Sequence, residues 1–128
     1  MGETASDKAR IIQWLMFQMG GLGPMLGQMG FFVKFAGSEW EDKRPQQRYV
    51  SEAKRLLAVL EKQLDGQDWV AGQYSIADIA IAPWLNALDF YQAHDIIGWN
   101  NHKNVVAYLD RFMARPAVEK GKNIPPRP

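Results

Sequence analysis

The sequence contains no cysteine, and this absence excludes disulfides, thiolate metal ligands and a cysteine nucleophile from the chain. Its two histidines, His94 and His102, stand eight residues apart without an HxxxH or HxH spacing, so we expect no metal site. There is no apolar run of the roughly 18 residues that would span a membrane. The first ten residues are polar and mixed in charge, unlike a secretory leader, and we therefore expect a cytoplasmic protein.

The chain also has almost no net charge. Fifteen basic and fourteen acidic residues leave a formal charge of +1, and the basic residues are scattered rather than grouped. We therefore expect no nucleic-acid or membrane partner. A chain of 128 residues, 47% of them hydrophobic, is sufficient for one domain with one core, which we assign to residues 1–128.

The periodicity of the apolar residues is helical, and we find no convincing strand. We predict helices over residues 4–19, 45–64, about 75–91 and 101–114, with loops at 36–44 and 65–73. Each helix has an apolar face, which in the third helix runs from Ile76 and Ile79 through Pro83 to Tyr91 and is wide enough to imply burial on most sides. Four such helices without strands predict an all-α bundle.

The stretch "MGGLGPMLGQMG", Met19 to Gly30, combines a helical apolar face with five glycines and a proline. Pro24 lacks an N–H and its ring would crowd the carbonyl of Gly20, so we expect a kink there. Glycines without Cβ atoms allow close approach by another group. That group is either a neighbouring helix or a ligand, and the residues by themselves favour neither interpretation.

Ser75 and Asp78 have the spacing of a capping box at the start of the third helix. We interpret both residues as a structural N-cap. A catalytic Ser–Asp pair would need a base that the sequence does not offer, so we predict no catalytic residue in this chain.

Several segments resemble the glutathione transferase superfamily. "YSIADIAIAPWL" is similar to the N-capped core helix of the C-terminal domain, and "WVAGQYSIADIA" and "ARPAVEKG" to its flanking loop and closing segment. "QWLMFQMGGLGPMLGQ" and "RYVSEAKRLLAVLEKQL" resemble the bacterial Nu-class members that include disulfide-bond reductases. The likeness extends from about Ser6 to Gly121 and implies a helical C-terminal domain without its thioredoxin-like partner domain.

The resemblance implies a function and a set of site residues. Glutathione would be the co-substrate, with a small electrophile or a disulfide as the second substrate, and the kinked helix would line the cleft. Arg48 would bind a glutathione carboxylate, with Gln18, Met25 and Gln28 beside the second substrate. The family also implies a homodimer through the first two helices, and a chain inactive on its own. The alternative is a non-catalytic scaffold or interaction module, as found joined to translation factors.

Overall fold

The computed structural model describes residues 2–125, which form helices and no strands. The elements follow one another along the chain as α1 (Ala5–Phe17), a π-helical turn (Gln18–Leu22), α2 (Gly23–Lys34), a 3₁₀ turn (Ala36–Glu39), α3 (Arg44–Gln63), α4 (Ile76–Phe90), α5 (His94–Ile97), a second 3₁₀ turn (Trp99–Asn101), α6 (Lys103–Met113) and α7 (Pro116–Gly121). The predicted all-α fold is confirmed. The proline-rich tail, residues 121–128, is predicted to be extended. Its first residue, Gly121, instead ends α7, and residues 126–128 lie outside the described residues.

The first helical stretch is continuous from Ala5 to Lys34 but changes its winding in the middle. Thr4 caps it, since its hydroxyl accepts from the Asp7 N–H at 3.1 Å. In the π-helical turn the Gly23 N–H bonds the carbonyl of Gln18, five residues earlier. The wider turn loosens the coil ahead of Pro24, which then falls in the first turn of α2, where a missing N–H is tolerated. The predicted irregularity therefore precedes the proline.

The other helices pack around this stretch. Leu56 of α3 lies beside Gly21, and Gln46 donates from its side chain to the carbonyl of Phe32 at 3.1 Å, so α3 runs antiparallel to α2. Trp84 and Tyr91 of α4 lie beside Gly23 and Gly30, so α4 runs parallel to α2. In α3 the apolar residues recur every three or four positions, which predicts a narrow buried seam. Leu56 is buried beside that seam, and all members of the seam are buried as well: Val50, Ala53, Leu57, Leu60 and Leu64.

Two predicted faces are wrong in detail. In α4 the buried apolar residues are Ala77, Ile81, Ala82, Leu85 and Leu88, whereas Ile79, expected inside, is 51% exposed. In the first helical stretch Ile11 and Trp14 are buried, but Ile12 in α1 and Met19 in the π-helical turn, both predicted on its apolar face, are 46% and 58% exposed. Both helices carry more apolar surface than this fold buries, so periodicity alone could not identify the side that faces the core.

The end of α4 leads into a segment that the sequence did not predict. The short helix α5 and the following 3₁₀ turn bring His94 and Trp99 together, with parallel rings 5.1 Å apart. The polar sequence around Trp40 and Trp99 predicts partial exposure of both indoles; Trp40 is 49% exposed, but Trp99 is buried. Ring stacking between residues five apart depends on the backbone turn at Gly98, which has a positive φ of 69°.

Candidate functional site

Arg48 lies in the second turn of α3 and its side chain is 68% exposed. Its nearest carboxylate is Glu52, at 3.9 Å, but Arg55 holds that carboxylate at 2.8 Å and thereby lowers the pKa of Glu52. The Arg48 guanidinium is therefore only weakly paired and accessible. Such a group can bind a carboxylate through two parallel hydrogen bonds.

The other predicted site residues differ in their exposure. Gln18 is buried, at 5% exposed, Met25 is half-buried against the core, and Gln28 is exposed. Because Gly21 lies beside Leu56, Arg48, eight residues earlier in α3, is displaced along the helix axis by about 12 Å. Gln28, four residues before Phe32, therefore lies near the level of the first turns of α3, whereas Gln18, three residues before Gly21, lies about three turns away.

The glycines of α2 mostly accept aromatic side chains. A Cβ on Gly30 would lie 2.7 Å from the ring of Tyr91, and one on Gly27 would lie 3.6 Å from Trp84. Gly23 lies against the indole of Trp84 as well. Close packing therefore requires glycine at Gly30 and Gly23, whereas the distance at Gly27 is an ordinary van der Waals contact that a Cβ could make. A Cβ placed on Gly20, in the π-helical turn, would have no atom within 4 Å, so the space beside this glycine is empty.

The capping box at Ser75 and Asp78 is confirmed, and it belongs to a larger buried network. The carboxylate of Asp78 is fully buried and accepts from the Ser75 N–H at 2.9 Å, the Val70 N–H at 3.1 Å and the Tyr108 hydroxyl at 2.9 Å. Burial, together with the nearby charge of Asp78, raises the pKa of Tyr108 well above its ordinary range, so the hydroxyl stays a donor. All these contacts are internal, and they support a structural role for the pair.

Sequence reasoning missed Tyr108 and assigned the inside of α6 to its apolar neighbours Val105, Val106, Leu109, Phe112 and Met113. The side chain is fully buried, and it occupies the helical position between Val105 and Phe112 that a core residue would take. That i, i+3, i+7 spacing was the available signal. Its partner Asp78 is thirty residues away, and no local pattern links the two.

A cavity of about 490 Å³ opens between α4, α6 and α7. Its lining is mainly apolar and includes Tyr74, Ile79, Pro83, Phe112, Met113 and Val118. Other exposed apolar side chains, all at least 38% exposed, are Ile76 and Ile79 of α4, Ile12 and Met16 of α1, and Met19 of the π-helical turn. The helices α1 and α4 pack against each other, and their outer faces carry uncovered apolar side chains of the kind that mark interaction sites.

Neither a metal centre nor a membrane span is found within residues 2–125. No three His, Asp or Glu residues in that range are grouped so as to hold a metal ion. None of the described helices combines the length and hydrophobicity needed to cross a bilayer.

Comparison with known proteins identifies relatives over nearly the whole chain. Residues 46–111, a little over half of the chain, match the family model described as the C-terminal domain of glutathione S-transferase. The disulfide-bond oxidoreductase YfcG of Escherichia coli K12 is 41% identical over 125 residues, covering 92% of this chain and 53% of YfcG. The chain spans about half the length of the curated relatives it matches.

Solved structures share the fold closely. A glutathione transferase from Pseudomonas putida, with one glutathione disulfide bound per subunit, is 52% identical with a TM-score of 0.96. The match covers 98% of this chain and 55% of that one. A family member from Pseudomonas fluorescens with two glutathione molecules bound is 54% identical with a TM-score of 0.95, over 98% of this chain and 56% of that one.

Proposed function

The chain belongs to the family of glutathione S-transferase C-terminal domains, and on that premise we propose that it forms the helical half of a glutathione-dependent transferase or disulfide reductase. In this proposal it supplies one wall of the cleft for the second substrate, a small electrophile or a disulfide. The observation that carries the proposal is the near-identity of its fold to that of the Pseudomonas putida enzyme, which binds glutathione disulfide.

The uncovered face of α1 and α4 supports a partner unit on that side. Relatives are about twice as long as this chain, and the exposed side chains of Met16, Met19 and Ile79 are 51% to 58% accessible. We propose that a thioredoxin-like, glutathione-binding unit covers this apolar surface. Burial of such a surface is favourable in proportion to its apolar area.

The chemistry would come from that other unit. The sequence has no cysteine, and within residues 2–125 the Ser75, Asp78 and Tyr108 side chains bond one another in the interior. A thiolate of glutathione becomes the nucleophile once hydrogen bonds lower its pKa, and we assign those donors to the partner unit. The chain on its own should therefore turn over neither electrophiles nor disulfides.

Arg48 provides the test. In an NMR titration with reduced and oxidised glutathione, we expect shifts at the start of α3, and we expect Arg48→Ala to weaken binding about tenfold or more, the loss of a charged hydrogen bond. Arg44→Ala is the matched control, because Arg44 is 87% exposed and already bonded to Asp42 at 2.6 Å. Equal effects of the two substitutions would contradict the assignment.

A full absence of shifts in the wild-type chain at millimolar glutathione has a separate meaning. If adding a separately prepared thioredoxin-like domain restores them, binding needs both halves. If it does not, the chain is a scaffold or interaction module. A homodimer and a cytoplasmic location remain predictions.

A further inference from the structure

The Gln18 side chain is a buried polar group without a partner. Only 5% of the residue is exposed, yet no hydrogen bond of its carboxamide is found among residues 2–125. Buried polar groups in proteins are nearly always hydrogen-bonded. Arg115 Nε is the only side-chain nitrogen or oxygen in that range that is both completely buried and without a hydrogen-bond partner. The unpartnered nitrogen and oxygen of the Gln18 amide are therefore not completely buried. The amide therefore touches solvent, and no protein group within residues 2–125 uses its bonding capacity.

A second unused donor lies beside it. A Cβ placed on Gly23 would lie 2.4 Å from Gln18 Nε2 and 2.9 Å from Trp84 Nε1, so both nitrogens converge on the bare Cα of Gly23. The indole N–H of half-buried Trp84 also lacks an acceptor within the part of the chain that the structure describes. An indole nitrogen can only donate, and the amide nitrogen carries two further N–H groups.

The local fold builds this arrangement. Gln18 opens the π-helical turn and bonds Gly23 through its backbone carbonyl, which brings its side chain to the same glycine. Gly23 leaves room for the amide, and the neighbouring Gly20 has nothing within 4 Å. Single π-helical turns inside α-helices occur frequently at functional sites.

We propose that Gln18 and Trp84 together bind an oxygen acceptor, a carboxylate or a peptide carbonyl, of the peptide-like substrate. The inference rests on the proposed function and adds Trp84 as a residue that determines specificity. One oxygen, or the two oxygens of a carboxylate, would accept from Gln18 Nε2 and Trp84 Nε1. Gly21, two residues before Gly23, lies beside Leu56, which is about 12 Å along α3 from Arg48, so the pair would contact a different part of the ligand.

The indole resonance of Trp84 gives a direct readout, and Trp84→Phe identifies it by its disappearance. Titrating the whole chain with glutathione disulfide, we expect the indole Nε1–H and the Gln18 side-chain amide to shift. In Gln18→Met, which keeps the side-chain volume but removes the amide, the apparent affinity should fall about tenfold. Gln67→Met, at an exposed loop glutamine, is the matched control and should bind normally.

Thermal unfolding separates recognition from a purely structural role. Gln18→Met should leave the Tm unchanged or raise it, because the amide has no internal partner to lose. The tetraethyl ester of glutathione disulfide distinguishes the two acceptors. If the ester no longer moves the Trp84 resonance, the acceptor is a carboxylate, and if it still does, the acceptor is a carbonyl.

Three outcomes would overturn the proposal. A lowered Tm in Gln18→Met with an intact ligand response would make the amide structural. Shifts that depend on Arg48 but leave the Trp84 indole and the Gln18 amide unmoved would reject this pair while the proposed function stands. A wild-type chain that shows no shift anywhere, even with a thioredoxin-like domain added, would reject both. If Gln18→Met fails to fold, the wild-type titration still tests the proposal, because it shows whether the Trp84 indole and the Gln18 amide respond to the ligand.

Discussion

At the residue scale, the carboxylate of Asp78 joins three segments that are distant in sequence. It accepts from the loop at Val70, from the start of α4 at Ser75 and from α6 at Tyr108. A buried charge is stable only when its hydrogen bonds are supplied. The interior of this domain is therefore organised around one carboxylate, and the donors to it are worth more than ordinary hydrogen bonds.

Removal of the Tyr108 hydroxyl tests this network. Tyr108→Phe should lower the free energy of unfolding by about 1.5 to 3 kcal/mol, because a buried charged group loses a donor. Urea unfolding at neutral pH measures the change. Tyr49→Phe is the control, since Tyr49 stacks on Phe32 and its hydroxyl makes no hydrogen bond within residues 2–125. A similar loss in both variants would contradict this role for Tyr108.

The raised pKa of Tyr108 also predicts how stability changes with pH. In the unfolded chain the phenol titrates near its ordinary value of 10.0, whereas in the folded chain it stays protonated well above that. Below pH 10 the stabilising contribution is fully present. Above it the unfolded state binds fewer protons, so stability falls as pH rises. Tyr108→Phe should show a shallower alkaline decline, and an unchanged slope would argue against a buried, protonated phenol.

At the scale of elements, α6 is capped by another helix. Its preceding residue, His102, makes no side-chain capping bond. Instead the carboxylate of Glu61, near the end of α3, accepts from the backbone N–H groups of Asn104 at 3.0 Å and Val105 at 2.9 Å. A negative group at this end also interacts favourably with the helix dipole. This contact fixes the orientation of α6 on α3.

Glu61→Ala should therefore destabilise the domain by about 0.5 to 2 kcal/mol, the range for the loss of an N-cap. The expected loss should appear together with faster hydrogen exchange of the first amides of α6, which would no longer have an acceptor. Lys62→Ala, at the adjacent exposed residue, is the control for helix propensity in α3. If Glu61→Ala leaves both stability and exchange unchanged, water satisfies these amides equally well.

At the scale of the whole molecule, the uncovered face of α1 and α4 should make the chain self-associate. Met16, at the end of α1, and Met19, in the π-helical turn, are 52% and 58% exposed and lie about one helical turn apart. Sedimentation velocity should show a dimer whose fraction grows with concentration, and Met16→Lys with Met19→Lys should weaken it. Ile96→Lys, on α5 and 39% exposed, is the control. A chain that stays monomeric at millimolar concentration would contradict the prediction.

The amount of the fold that the sequence predicted differs from helix to helix. The seam of α3 and the cap of α4 were correct because both depend on residues within a few positions of one another. The burial of α4 was wrong at Ile79, and α5 was missed because four residues give too little periodicity. For the candidate site, the sequence and its resemblance nominated Gln18 and Arg48, but not Trp84, which is brought beside Gln18 by packing between α2 and α4.

The sequence by itself determined that this chain is helical, where its main helices begin, and that it can form one core, because caps, breakers and apolar spacing act locally. Only the tertiary structure decided which apolar faces are buried, since that depends on the neighbouring helices. It also decided which glycines accept an aromatic ring and which remains open. The contacts of Asp78 with Tyr108 and of Glu61 with α6 join residues 30 to 44 positions apart, and such pairs exist only after the helices have packed.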